Sequence, residues 1–270
     1  MNRLPSLGGC SRRRAATTHA GDRMFARFVC LIASAGLACV AAAAELKVLA
    51  PNAAREPVIQ PVAVFEKATG QQVKVSWSGT EAITRRIAEG EAADVVINAV
   101  QNIERQTQDG KLVAASRTDF ARVGIGVAIP AAAPSLDVST PEALRSSLLS
   151  AKSVIVSSGT SGRHMLEVFA NLGIGEALKA KTTQPPSGAQ IADSLAAGRA
   201  EIGFPQISEL RHAPGIRYLG PIPAELQSYT TYSAARHAGS AQVDAAAAFL
   251  RALRDPATQA ATRAAGMEPL

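Results

Sequence analysis

VIVSSGTSGRHMLEVFANL, residues Val154–Leu172, is the stretch whose reading decides the fold. Val154, Ile155 and Val156 are β-branched and favour an extended strand. Ser157, Ser158, Gly159, Thr160, Ser161 and Gly162 follow as a small, hydroxyl-rich loop. Met165, Phe169 and Leu172 then recur at the spacing of one helix face, and Gly173 stops it. Strand, donor-rich loop and helix make the repeating unit of a layered α/β protein. The loop leaves backbone N–H groups free at the positive end of a helix dipole. Ser157, Ser158, Thr160 and Ser161 add hydroxyls, and Arg163 adds a full positive charge, so the stretch reads as a cradle for a small anion. The plainer alternative is an ordinary helix start, where Ser and Thr are favoured in any protein.

Outward from this stretch the same alternation repeats. ELKVLA (Glu45–Ala50) reads as a buried strand, followed by a helix with Val58, Val62 and Phe65 on one face and Gly70 at its end. Pro61 is expected to bend that helix and displace the turn before it. QVKVSWS is the next strand. Thr80 then caps a helix carrying Ile83 and Ile87, closed by Gly90. Asp94–Ala99, a polar helix from about Asn102 to Gly110, and one long strand over Arg122–Pro130 follow. Thr140 and Pro141 form an N-cap and first-turn pair. After residue 172 come KTTQ, the turn PPSG, a helix with Ile191 and Leu195, and the strand EIGFP. Such alternation predicts parallel sheets covered by helices. Ile216–Gly220 and Ser228–Ala235 break the pattern as two strands with no helix between them, and two helices over Ser240–Arg254 and Pro256–Ala265 finish the chain.

The first 44 residues read differently. Arg12, Arg13, Arg14, Arg23 and Arg27 precede an uncharged run, Phe28–Ala44, ending in small residues. That is the layout of a secretory signal peptide, with cleavage expected before Glu45 and export to the periplasm as its consequence. Met24 is an alternative start, and the triple arginine an argument for a twin-arginine signal. As a membrane anchor the apolar run is short against a span of about 20 residues. A lipoprotein attached through Cys39 is disfavoured by Gly36 three residues earlier. Of 28 basic and 22 acidic residues, six basic and one acidic precede Glu45, leaving 22 against 21 and a charge of +1. The basic balance of the whole chain therefore gives no support to nucleic-acid or membrane-surface binding. Cys10, Cys30 and Cys39 all lie in the same segment. The remainder has no disulfide, thiolate nucleophile or cysteine metal site.

The order of these motifs resembles the periplasmic molybdate-binding proteins of ABC importers, within the wider class of two-lobed solute receptors. The residues that carry it are KVLAPNAAREPVIQPVAVFEKATGQQVKVSWSGTEAITRRIAEGEAADVVINA in the first half, and SSGTSGRHMLEVFANLGI with SLAAGRAEIGF in the second. The resemblance implies two doubly wound α/β lobes joined by crossover strands, the type II periplasmic binding protein architecture. Lobe 1 is expected at 45–127 plus 214–270 and lobe 2 at 128–213. It implies a small anion held in the interlobe cleft, molybdate or tungstate, by a monomer that partners a permease and an ATPase and needs no cofactor. Carried over, the family's anion contacts fall at Ala53, Thr80, Ser161, Gly188 and Gln206, with Asn52, Gly79, Gly162 and Arg163 beside them. The family usually has a serine where Ala53 stands and a tyrosine where Gln206 stands. Asn52 offers an amide donor in compensation. Arg163 raises the alternative of a small carboxylate or phosphate-like anion, because a guanidinium matches their paired oxygens.

Other function classes find less in the residues. A two-lobed lyase or deaminase is the enzymatic alternative, but only His164, His212 and His237 follow the signal segment, without zinc spacing or paired carboxylates at helical spacing. The glycine-rich loop is not a phosphate-binding P-loop, because no lysine follows its glycine. A ligand-sensing domain of a cytoplasmic regulator conflicts with the export signal.

Overall fold

The computed structural model describes residues 45–211 and 213–270. The expected signal segment and His212 lie outside the described residues. Elements β1 (Leu46–Pro51), α1 (Arg55–Thr69), β2 (Val73–Ser78), α2 (Thr80–Ala88), β3 (Val95–Ala99), α3 (Val100–Gln108) and β4 (Thr118–Val123) come first. The middle of the chain supplies β5 (Gly126–Pro130), α4 (Pro141–Ser150), β6 (Val154–Val156), α5 (Thr160–Asn171), α6 (Gly175–Lys179), β7 (Thr182–Thr183), α7 (Gly188–Ala196), β8 (Ile202–Phe204) and β9 (Ile216–Pro221). It ends with β10 (Thr230–Arg236), α8 (Val243–Ala252), α9 (Pro256–Ala264) and β11 (Glu268–Pro269). They build two α/β lobes, each around its own sheet, with orders β11-β4-β10-β3-β1-β2 and β7-β6-β8-β5-β9.

Neither sheet is purely parallel. β1 pairs in parallel with β2 and β3, and β6 with β7 and β8. β10 runs antiparallel to β3 and β4, and β5 antiparallel to β8 and β9. These exceptions are the crossing strands. The expected single strand over Arg122–Pro130 is two, broken at Gly124 and Ile125, where the chain leaves the first sheet for the second. Ile125 is buried at the crossing, so hydropathy runs through the break without a signal. The return comes later than residue 214, because β9 pairs with β5 in the second sheet. With only the short 3₁₀ turn Ala224–Leu226 between β9 and β10, nothing in the sequence says which sheet each joins. Gln227 fastens the two crossings: its Oε1 accepts the Ile125 N–H at 2.8 Å and its Nε2 donates to the Ile125 carbonyl at 3.0 Å.

Apolar residues fill both faces of both sheets. In the first lobe α1, α8 and the sheet bury Leu46, Val48, Val58, Phe65 and Phe249, with the two phenyl rings edge to face at 5.9 Å. The opposite face packs Ile83, Ile87 and Ile103 from α2 and α3. In the second lobe Met165 and Phe169 of α5 meet Val154, Val156 and Phe204, while Ile191 and Leu195 of α7 cover Ile155 and Ala128. Burial of this kind contributes about 25 cal/mol per Å² of apolar surface and fixes each helix start relative to the strand before it. α1 continues through the buried Pro61 as one helix over Arg55–Thr69. Pro57 lies in its first turn, where its missing N–H would have had no helical partner.

Candidate functional site

Between the lobes is a cavity of about 30 Å³. Its first-lobe wall is Pro51, Asn52 and Ala53 after β1 and Ser78, Gly79 and Thr80 after β2; its second-lobe wall is Ser157 and Gly159–Ser161 after β6, with Pro186–Gly188 entering α7. Gln206, Glu209 and Tyr232 close it. α2 and α5 start at the carboxyl ends of parallel strands and aim their N-termini inward, the place where open α/β sheets bind ligands.

Thr80 is the first residue of α2, one past the N-cap Gly79, so its hydroxyl does not cap the helix as the sequence suggested. Its Oγ1 is buried and has no hydrogen-bond partner. Leaving a buried hydroxyl unpaired costs about 1–3 kcal/mol, and it marks a seat for an acceptor. The hydroxyl stands against the other lobe: a Cβ added at Gly159 would lie 2.9 Å from it. Ser157 and Ser161 pair their hydroxyls at 3.2 Å, and the Gly159 N–H donates to Ser157 Oγ at 3.3 Å.

The start of α7 is already engaged. The carboxylate of Glu209 accepts hydrogen bonds from the Gly188 and Ala189 N–H groups, and from its own turn's Gln206 N–H at 3.3 Å. A Cβ at Gly188 would lie 1.8 Å from Glu209 Oε2, so the carboxylate rests directly on the helix start. Burial pushes this carboxyl up to about 7, against the downward pull of the three N–H groups. Beside it, burial pushes the Tyr232 phenol well above its ordinary range, so it stays a neutral hydroxyl. Beyond Asn52 and Glu209 a hollow of about 250 Å³ opens past Arg55, Glu56 and Asp193, with the Arg55 guanidinium stacked 4.5 Å from the Trp77 ring centre. Among the described residues no group of three or more His, Cys, Asp or Glu is placed to hold a metal ion.

A family model described as bacterial extracellular solute-binding protein matches residues 46–268. The chain belongs to that family. It is 29% identical over 246 residues to the aconitate isomerase of a Pseudomonas species, covering 89% of this chain and 94% of that one. It is 30% identical over 186 residues to the molybdate-binding protein ModA of Azotobacter vinelandii, covering 68% and 73%. The solved structure of a periplasmic molybdate-binding protein from that organism superposes with a TM-score of 0.71 at 21% identity, over 82% of this chain and 98% of the other. That likeness carries the two-lobed fold.

In this solute-binding protein Asn52, Ala53, Gly79, Thr80, Ser161, Gly188 and Gln206 all line the one cavity. Two of them are engaged inside the protein, and Ala53, as the sequence implies, lacks the family's serine. Ala53 offers no side-chain donor, and its carbonyl accepts from Ser208 Oγ at 2.7 Å. Gly188 gives its N–H to Glu209. Gln206 Nε2 donates to Thr230 Oγ1 at 2.8 Å. Gly162 and Arg163 lie off the cavity wall. Gly162 lets α5 settle on its own loop: a Cβ there would be 1.6 Å from the Ser157 carbonyl oxygen. Arg163 turns away to Glu81 on α2, with Nη1 to Oε1 at 2.8 Å, and bridges the lobes from outside. His164, one residue on, meets the Leu226 carbonyl at 2.7 Å beside the crossing. Sequence reasoning missed Glu209, Ser187 and Tyr232. The spacing of Gln206 and Glu209 after β8 was the available signal, since an acid three residues past a turn start reaches back to that start's N–H.

Proposed function

We propose that the protein is an exported receptor that closes its two lobes on a small organic carboxylate and delivers it to a membrane permease and ATPase. One observation carries the reading: the buried Thr80 hydroxyl, without a partner, stands at the meeting of the α2 and α5 starts. Closure then follows from differential affinity, because a ligand touching both lobes favours the state in which they meet. Each helix end contributes about 0.3–1 kcal/mol, so the ends must act together with the hydroxyls to give micromolar binding. The carboxylate is preferred over molybdate because Ala53 lacks the family's serine, while the Gly188 N–H and the Gln206 amide are engaged inside the protein. One relative, which covers 89% of this chain, is named for a tricarboxylate, which supports the same choice and brings turnover of that ligand class within the test.

The compact cavity favours a second reading, a tetrahedral oxyanion such as molybdate or tungstate. Calorimetric titration of protein beginning at Glu45 with cis- and trans-aconitate, citrate, malate, molybdate, tungstate, sulfate and phosphate decides between them. Micromolar binding of a carboxylate with none of molybdate supports the first reading, and the reverse overturns it. Proton NMR of the aconitate mixtures after incubation shows whether the protein interconverts the isomers or only holds them.

A further inference from the structure

We propose that Glu209 sets which anions the cleft accepts: an anion occupies the α7 side only with a proton shared between it and Glu209. The inference rests on the interlobe-anion reading and goes beyond it. α7 spans Gly188–Ala196, and its first two N–H groups already hold the Glu209 carboxylate. An oxygen entering the cavity therefore meets, on one side, the free hydroxyl of Thr80 and the start of α5, and on the other a carboxylate instead of N–H donors. Two anionic oxygens in contact repel strongly in a site shielded from water, whereas one proton between them makes a short charge-assisted hydrogen bond. Discrimination then comes from an introduced repulsion as much as from attraction. The ligand class it selects has one anionic group for α2 and α5 and an acidic or hydroxyl proton facing Glu209.

The charged and titratable groups around Glu209 leave that role to it. Tyr232, from β10, is held as a neutral phenol. Arg55 and Glu56 of α1 and Asp193 of α7 line the outer hollow and are not on the cavity wall. The movable partner at Gly188 is the end of a side chain, so a ligand that brings the proton can also shift the carboxylate without disturbing the backbone.

Hydrogen phosphate and sulfate are the probes, since they share a tetrahedral shape and differ in the proton. At pH 8, above the value to which Glu209 is raised, the parent protein should bind hydrogen phosphate at least tenfold more tightly than sulfate. Glu209→Gln keeps an acceptor for the α7 N–H groups and removes the charge. It should bring the two affinities within about threefold, by a gain for sulfate, with an unchanged melting temperature confirming the fold. Equal affinities in the parent, a ratio that survives Glu209→Gln, or no sulfate binding by Glu209→Gln each overturn the proposal. Failure of the cleft reading itself looks different: Thr80→Val and Ser161→Ala would then leave every anion affinity unchanged.

Discussion

The starts of α5 and α7 are built from similar sequence, Ser-Gly-Thr-Ser-Gly and Pro-Pro-Ser-Gly, and face the same cavity from the same lobe, yet they are used in opposite ways. At α5 the third helical residue, Gly162, is backed by rigid backbone, and the Gly159 N–H and the Ser157 and Ser161 hydroxyls bond only within their own loop. At α7 the first residue, Gly188, is faced by the flexible end of Glu209 and the donors are taken. Two helix N-termini on one cavity thus become one seat without a carboxylate on it and one filled by the displaceable Glu209 side chain. A helix start is a binding site only after its competing internal partners have been counted.

The largest expected effect tests the rigid side. Gly162→Ala sets a methyl group 1.6 Å from the Ser157 carbonyl oxygen, and the start of α5 must move. Urea denaturation should show a loss of about 3 kcal/mol, at the upper end of ordinary overpacking. Gly188→Ala meets only the Glu209 side chain, and its loss should stay under about 1 kcal/mol. Equal losses would remove the contrast between the two starts.

The next effect tests the filled side through pH. The Glu209 carboxyl rises from 4.5 to about 7 on folding, so the native state holds its proton more tightly than the unfolded chain does. Its contribution is fully present below pH 4.5 and is lost as pH rises through 7. Allowing for the partial exposure of the side chain, the swing is roughly 2–3 kcal/mol. The difference in unfolding free energy between the parent and Glu209→Gln should therefore fall steadily over this window and be flat above pH 8. A difference independent of pH would show that burial does not raise this carboxyl.

Much of this arrangement was legible in the residues. Periodicity found the strand–loop–helix units, because Met165 with Phe169 and Ile191 with Leu195 have to bury one face each. Small and hydroxyl residues marked where the helix starts would gather, and seven of the nine expected site residues line one cavity. What escaped was long-range pairing. The break at Gly124 is invisible because Ile125 is as buried as its neighbours. β9 joins the second sheet through contacts with β5, some 90 residues earlier in the chain. Glu209 occupies α7 from a different turn, and Arg163 finds Glu81 in the other lobe. Local sequence sets the donors that a loop presents, but tertiary packing decides which of them are still free.

The free seat gives a smaller effect. Thr80→Val removes a hydroxyl that has no protein partner, so stability should hold or rise slightly while ligand affinity falls about five- to tenfold, the worth of one hydrogen bond. A fall in stability with unchanged affinity would assign the hydroxyl to the fold instead.

The smallest effect belongs to Arg163, and it separates a bridge between lobes from a contact with ligand. The ion pair with Glu81 spans the cleft at 2.8 Å, with the arginine side chain 50% exposed and the glutamate 28%. An exposed pair contributes about 0–1 kcal/mol, so Arg163→Ala should weaken ligand binding by less than about fivefold, through easier opening of the lobes. Glu81→Ala should weaken it to the same degree, and the double variant should match either single one, because the same bridge is lost in all three. High salt should draw the four proteins together, since it screens the pair in the parent. If instead Arg163 swung in to clamp a carboxylate, its loss would weaken binding by on the order of 2–5 kcal/mol. Glu81→Ala would then tighten binding by releasing the guanidinium. The sign of the Glu81→Ala effect is thus the deciding measurement, and weakening is the outcome that this geometry requires.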